Sequence, residues 1–186
     1  MIDFLELPDF LDRPGCEAMR AELVGLAGEA AALLGGDVRS GVRRTTRIAV
    51  PATTAARITP LLAAAMPALE GRFGVALTQF EPPQFLRYEA GDFFVAHQDG
   101  NTPLIHDDSR FRKVSVVLFL SPHSQEPAPG AHGGGELVLH GAYSEFDQRL
   151  RFAPPPGTLV AFRAETTHEV TPVTHGERFT VVTWYR

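Results

Sequence analysis

From Thr78 to the C-terminus the chain is a succession of short β-rich runs, and this pattern limits the fold more than any other feature of the sequence. The runs fall at 84–88, 93–97, 114–120, 136–140, 157–162, 168–170 and 179–185. They are rich in Val, Phe, Leu and Tyr and are bounded by turn-forming Gly, Pro, Asp and Ser, which predicts strands between turns. No helical period lies between them, so the expected architecture is an antiparallel sandwich or jelly roll.

The first 77 residues read differently. Met19, Leu23, Leu26, Ala27, Ala30, Leu33 and Leu34 recur at three and four, and Gly35-Gly36 follows as a stop; the period predicts one amphipathic helix. A second helix is predicted from Thr59, with Pro60 in its first turn and Leu61, Leu62, Ala65, Met66 and Leu69 on its apolar side, ending near Gly71. Pro67 is expected to kink or shorten it. Between them, residues 39–50 carry Arg39, Arg43, Arg44 and Arg47, and exposed charge favours a solvated connector over a substrate-facing loop. Two later stretches, 100–112 and 122–134, are long, polar and rich in Gly, Pro or His, as lids and substrate loops often are. With no internal repeat, the reading is one domain over 1–186: helical support at 1–77, a β core at 78–186, and the helices packed on one sheet.

Composition narrows the chemistry. With 186 residues, 44% of them hydrophobic, the chain can bury a sizeable core unaided. The net charge of −5 supplies no basic field for nucleic acid or an anionic membrane. Cys16 is the single cysteine, so neither an intramolecular disulfide nor a thiolate metal site can form within one chain. Any metal must therefore be held by His and carboxylate. The N-terminus lacks the pattern of a signal peptide and no apolar run approaches a membrane span. The expected location is the cytoplasm.

His97 and Asp99 offer such ligands. His97 ends a predicted strand, and residues two apart on an extended chain face the same way, so both can close on one ion. His106 and Asp108 repeat the spacing nine residues later, but in a polar loop, where a turn-stabilising role is simpler. Strand context selects His97. His168, after another strand, supplies a third ligand, giving the two-histidine, one-carboxylate arrangement of non-haem iron(II) sites. His123, His132 and His175 fall in predicted loops and are expected to face solvent. Arg178 opens the last strand, and alternation puts it on one face with Thr180, Val182 and Trp184. A buried guanidinium needs an anion. Glu136 could provide it as a structural salt bridge; otherwise the anion is a carboxylate-bearing co-substrate, with Thr180 as a further donor.

These residues resemble the iron(II)- and 2-oxoglutarate-dependent oxygenases, and within them the prolyl 4-hydroxylase-like branch. The resemblance runs from about residue 80 to 186, through Tyr88 to Asp99, Val116-Val117-Leu118-Phe119-Leu120-Ser121, Gly134-Gly135-Glu136-Leu137, the turn and strand from Pro154, and His168 to Trp184. It implies a double-stranded β-helix with iron on His97, Asp99 and His168. In such enzymes 2-oxoglutarate chelates the metal, so Arg178 would grip its distal carboxylate and Tyr88 would add a hydroxyl. O2 would complete the reaction, ascorbate would serve as accessory reductant, and succinate and CO2 would leave as an unactivated C–H bond is hydroxylated. Phe119 stands where several relatives carry a tyrosine that also binds the distal carboxylate. Arg112 matches a position that contacts peptide in some relatives, and is otherwise a structural arginine.

The expected substrate is a prolyl residue in a peptide or protein, with a free amino acid or small metabolite as the alternative. A reading of another class is a non-enzymatic, cupin-like metal-binding module; it shares the fold but gives Arg178 no task. Nucleic acid is not an expected partner, and no residue specifies an oligomeric state.

Overall fold

A computed structural model of the chain describes residues 2–31, 40–100, 107–141 and 148–186. In chain order they form strand β1 (Phe4–Leu7), helix α1 (Arg13–Val24), strands β2 (Gly28–Ala30), β3 (Arg43–Arg44) and β4 (Thr46–Ile48), and helix α2 (Ala52–Phe73). Strand β5 (Gln84–Tyr88), strand β6 (Phe93–His97), a 3-10 turn at Asp108–Phe111 and strand β7 (Val114–Phe119) follow. The last third holds β8 (Gly133–Gly134), β9 (Leu137–His140), β10 (Arg149–Phe152), β11 (Leu159–Arg163), β12 (His168–Val170), β13 (Val173–His175) and β14 (Arg178–Tyr185). The fold is mainly β, and all seven runs read from the sequence are strands, with ends moved by at most two residues.

Seven strands pair in the order β1-β11-β7-β14-β5-β4-β2, five in the order β10-β9-β12-β6-β3, and two as β13-β8. Every ladder between named strands is antiparallel. Both helices cover one face of the seven-stranded sheet: Met19 and Leu23 of α1, and Ile58, Leu62, Leu69 and Phe73 of α2, share a core with Val114, Val116, Leu118, Val181 and Tyr185. Strand β7 is buried along its whole length, because its alternate residues Val117 and Phe119 pack into a second core on the opposite face. That inner face looks toward the five-stranded sheet. Tyr185 ties sheet to helix by donating its hydroxyl to the carbonyl of Leu62 at 2.9 Å.

Both helices differ from expectation at their ends. Asp12 caps α1 by accepting from the Gly15 amide at 2.9 Å, but α1 stops at Val24 with Gly25 as its C-cap. Residues 28–30, expected within that helix, instead pair with β4; 32–39, including Leu33, Leu34 and Arg39, lie outside the described residues. The three-and-four spacing of Leu26, Ala27 and Ala30 suits a helix, yet pairing with β4 satisfies the same backbone groups within a sheet. Helix α2 starts at Ala52 rather than Thr59 and runs through Pro60 and Pro67 to Phe73. Both prolines are on exposed positions, where water can satisfy the carbonyls left without an N–H donor, while Thr54, Ile58, Leu62, Ala65, Leu69 and Phe73 form the buried stripe. Gly74 ends the helix in the left-handed region at φ 62°, its amide bonded to Glu70 O. Within the arginine-rich connector, residues 43–44 and 46–48 form β3 and β4.

No helix among the described residues is long and apolar enough to cross a membrane.

Candidate metal centre

Strand pairing brings the two histidines together. His168 is the register partner of His97 across β12 and β6, and the ring centroids lie 4.2 Å apart. Asp99 follows β6 by two residues, its amide anchored on Ala164 O at 2.9 Å. Between them Gln98 turns aside and donates to Glu165 O at 2.7 Å. The next residue, Gly100, sits where a Cβ would meet Ser109 O at 2.4 Å, so only glycine lets the chain pass the 3-10 turn.

The ligand atoms of His97, Asp99 and His168 all lie within 4.8 Å of one another, so the three could hold a metal ion. His97 Nε2 is 3.5 Å from Asp99 Oδ1, and His168 Nε2 is 3.4 Å from Asp99 Oδ2. Each Nδ1 faces a carbonyl instead: Val95 O at 2.8 Å for His97 and Thr166 O at 2.9 Å for His168. A carbonyl only accepts, so the proton belongs on Nδ1 and the Nε2 lone pairs point to the carboxylate side. Burial, together with neighbouring His97, pulls His168 down to about 4, leaving the neutral ring that binds metal. Burial alone would raise the Asp99 carboxyl; the facing His168 and His97 and a hydrogen bond from Trp184 outweigh it, and the group stays below the ordinary carboxylate range.

Of the rival motif, only the carboxylate side is among the described residues. Asp107 caps the 3-10 turn, accepting from the Ser109 amide at 2.9 Å, and Asp108 is an exposed residue of that turn; His106 lies outside the described residues.

A cavity of about 360 Å³ opens beside the triad, lined by Tyr88, Phe94, Val117, Leu137, Val182 and Trp184 among others. Arg178 and Thr180 line it as well. Arg178 is 1% exposed. Its Nε and Nη2 have no hydrogen-bond partner, and Nη1 reaches only Thr180 Oγ1, at 3.5 Å. The guanidinium lies 5.0 Å from the Tyr88 ring centroid and 5.3 Å from that of Phe119. Burial pulls it down to about 10, so it is still a cation at neutral pH. The structural salt bridge with Glu136 is not formed: Glu136 accepts from Arg151 at 2.5 Å. An enclosed cation with idle donors is costly unless an anion joins it.

Arg112 also lines the cavity, but all three of its nitrogens are engaged. Nε and Nη2 each donate to Glu81 at 2.7 Å, and Nη1 donates to Asp99 O at 3.1 Å. His132, expected at the surface, is 2% exposed. An isolated bridge pairs it with His123, and burial with nearby Arg178 pulls its ring down to about 3. Ser115 was not anticipated: it donates to Asp99 Oδ2 at 2.7 Å. Alternation along β7 places it on the inner face, but serine in an apolar strand gives no signal of its own. Nor did the sequence reveal that Phe94 stacks on His97, with centroids 3.5 Å apart, or that Arg43 lies 4.7 Å over Phe94.

Comparison with known proteins agrees with this geometry. The family model of the 2OG-Fe(II) oxygenase superfamily matches residues 83–186, which include every residue of the triad and Arg178. The chain belongs to that superfamily. This oxygenase is 31% identical over 183 residues to a PKHD-type hydroxylase of Paracoccus denitrificans (strain Pd 1222), covering 97% of the chain and 76% of the relative. It is 35% identical over 145 residues to a PKHD-type hydroxylase of Burkholderia ambifaria (strain MC40-6); the match takes in 77% of the chain and 60% of that protein's length. Among solved structures, a Pseudomonas putida prolyl-4-hydroxylase superposes with a TM-score of 0.77 at 26% identity, covering 100% of this chain and 94% of that one. The oxygenase thus falls in the prolyl 4-hydroxylase-like branch and is a 2-oxoglutarate-dependent enzyme using Fe(II) and O2. The cupin-like binding module is excluded with it.

Proposed function

We propose that this oxygenase hydroxylates an unactivated C–H bond of a prolyl residue in a peptide or protein, releasing succinate and CO2. His97, Asp99 and His168 are the metal ligands in this reading. Arg178 binds the distal carboxylate of 2-oxoglutarate, with Thr180 and Tyr88 as neighbouring hydroxyls. The two sheets facing the cavity are read as the halves of a double-stranded β-helix, and residues 1–186 as one domain with its helical part as support. The carrying observation is Arg178, a buried cation with idle donors on the wall of the cavity that also holds the triad.

When bound, iron and 2-oxoglutarate supply the oxidative step that places one oxygen atom of O2 on carbon. The chain's own residues bind and orient. Nδ1–H bonds to Val95 O and Thr166 O fix both imidazoles with Nε2 toward the metal position. Arg178 offers a fork suited to a carboxylate. Leu137, Val117, Val182 and Trp184 form an apolar lining, which limits water around a reactive centre. The prolyl assignment rests on the branch and on the prolyl-4-hydroxylase of Pseudomonas putida. The lone cysteine, buried at Cys16, suits the cytoplasm we propose as its location.

The test is anaerobic titration of the Fe(II)-loaded enzyme with 2-oxoglutarate, followed by a screen for substrate-stimulated succinate release. Metal-to-keto charge transfer is expected to give a weak visible band that saturates with co-substrate. Prolyl peptides are expected to stimulate succinate release. Stimulation by free amino acids alone would move the reading to a small-molecule hydroxylase, and absence of the band would remove the site assignment.

A further inference from the structure

Asp99 is held at its amide, its carbonyl and its carboxylate. Its amide donates to Ala164 O at 2.9 Å, its carbonyl accepts from Arg112 Nη1 at 3.1 Å, and Oδ2 accepts from Ser115 Oγ at 2.7 Å. A carboxylate at the end of a strand can otherwise turn about its Cβ–Cγ bond, a broad two-fold torsion with no staggered preference. Ser115 is the register partner of Trp184 across β7 and β14, so two adjacent strands present a hydroxyl and an indole to the same place. Arg112 stacks 3.8 Å over that indole. Glu81 grips Arg112 through both carboxylate oxygens and also accepts from Arg186 Nη2 at 2.6 Å.

We propose that Ser115 and Arg112 are positioning residues for Asp99: the first orients its carboxylate and the second pins its main chain, so that the metal meets a ligand already in place. The inference rests on Asp99 being a metal ligand, as read above. It gives Arg112 a task that needs no peptide, because its guanidinium is spent on Glu81 and the Asp99 carbonyl. Without the Ser115 hydroxyl, the carboxylate keeps its place in the chain but loses its orientation. Groups that orient metal ligands in this way are typically worth ten- to a hundredfold in metal affinity.

The experiment is anaerobic titration of the metal-free protein, residues 1–186, with Co(II), read from its visible d–d absorption, with no 2-oxoglutarate or peptide present. Ser115→Ala is expected to weaken Co(II) binding by roughly ten- to a hundredfold and to change band intensity, while metal-free melting stays close to wild type. Ser115→Thr, which keeps the hydroxyl, is expected to restore affinity and spectrum. Arg112→Gln is expected to weaken Co(II) binding in the same titration, where a purely peptide-contacting arginine would leave it unchanged. Wild-type affinity and spectrum in Ser115→Ala would overturn the role of Ser115, and unchanged affinity in Arg112→Gln that of Arg112. If Ser115→Ala melts early, Ser115→Thr decides: normal melting with alanine-like affinity counts against the hydroxyl. A wild type that takes up no Co(II) overturns the triad itself, which separates that failure from failure of the brace.

Discussion

His168 stands directly opposite His97 in the antiparallel pairing of β12 with β6, although 71 positions separate them in the chain. Their Nε2 atoms approach different oxygens of Asp99, at 3.4 and 3.5 Å. One ladder therefore sets the spacing of two prospective ligands, and the third follows two residues beyond it.

Asp99→Ala is expected to abolish metal-dependent succinate formation, because it removes the carboxylate between the two imidazoles. Asp108→Ala is expected to leave that activity intact, since Asp108 is an exposed residue of the 3-10 turn. Succinate measured against Fe(II) concentration checks both. Equal loss in the two variants would assign the wrong His-x-Asp.

Arg178→Met separates co-substrate binding from metal binding. Loss of a charge-assisted pair worth about 1.5–3 kcal/mol is expected to weaken 2-oxoglutarate binding by roughly ten- to a hundredfold, with Co(II) affinity retained. Because Arg178 is buried with idle donors, the same change is expected to raise the melting temperature of the co-substrate-free protein. It should also shrink the rise that 2-oxoglutarate gives to wild type. Differential scanning fluorimetry with and without 2-oxoglutarate reads both effects.

Glu81 carries a pH-dependent share of stability. Burial raises its carboxyl, but hydrogen bonds from Arg112 and Arg186 outweigh burial and hold it below the ordinary value of 4.5. A folded-state pKa below the unfolded one contributes stability that is complete above the unfolded value and lost as pH falls through the folded value. Glu81→Gln is therefore expected to cost about 1.5–2 kcal/mol near neutral pH, because a half-buried carboxylate that accepts charge-assisted hydrogen bonds from two arginines is lost. The gap from wild type should narrow below about pH 4.5. Urea unfolding at pH 7 and at acid pH measures it, and a gap that does not change with pH would contradict the assignment.

Leu69→Ala tests the support that α2 gives the sheet. Leu69 is fully buried in the core shared with Phe85, Leu118 and Val181. Truncation is expected to cost about 3 kcal/mol through lost contacts and a residual cavity. Chemical denaturation checks the size, and Co(II) affinity is expected to remain at the wild-type value in the folded fraction.

The strands were legible because alternation and turn residues are local signals. The strands 84–88, 93–97 and 168–170 were read with the bounds that the structure gives them, and these include the two strands that carry His97 and His168. The helices were less legible. The apolar spacing of 26–34 suits a helix, but pairing of β2 with β4 claims residues 28–30. Thr59 with Pro60 suits the first turn of a helix, yet an exposed proline inside a helix is tolerated when the opposite face is as well packed as Ile58, Leu62 and Leu69. His132 shows the converse error. A histidine in a Gly-rich loop reads as exposed, and only the bridge to His123 and the packing beside Arg178 bury it.

The sequence by itself determined the chemical inventory: one cysteine, two His-x-Asp pairs, His168 downstream and an arginine sharing a face of the last strand with Thr180. It also determined that His97, Asp99, His168 and Arg178 fall on or beside strands, since the period of two is written locally. Tertiary structure decided what each group meets. It left Arg178 without Glu136, gave Arg112 to Glu81 and the Asp99 carbonyl, and brought Ser115 against the Asp99 carboxylate. Those outcomes depend on which strands become neighbours and in what register. Such long-range pairing is a property of the whole sheet and leaves no mark on the residues it joins.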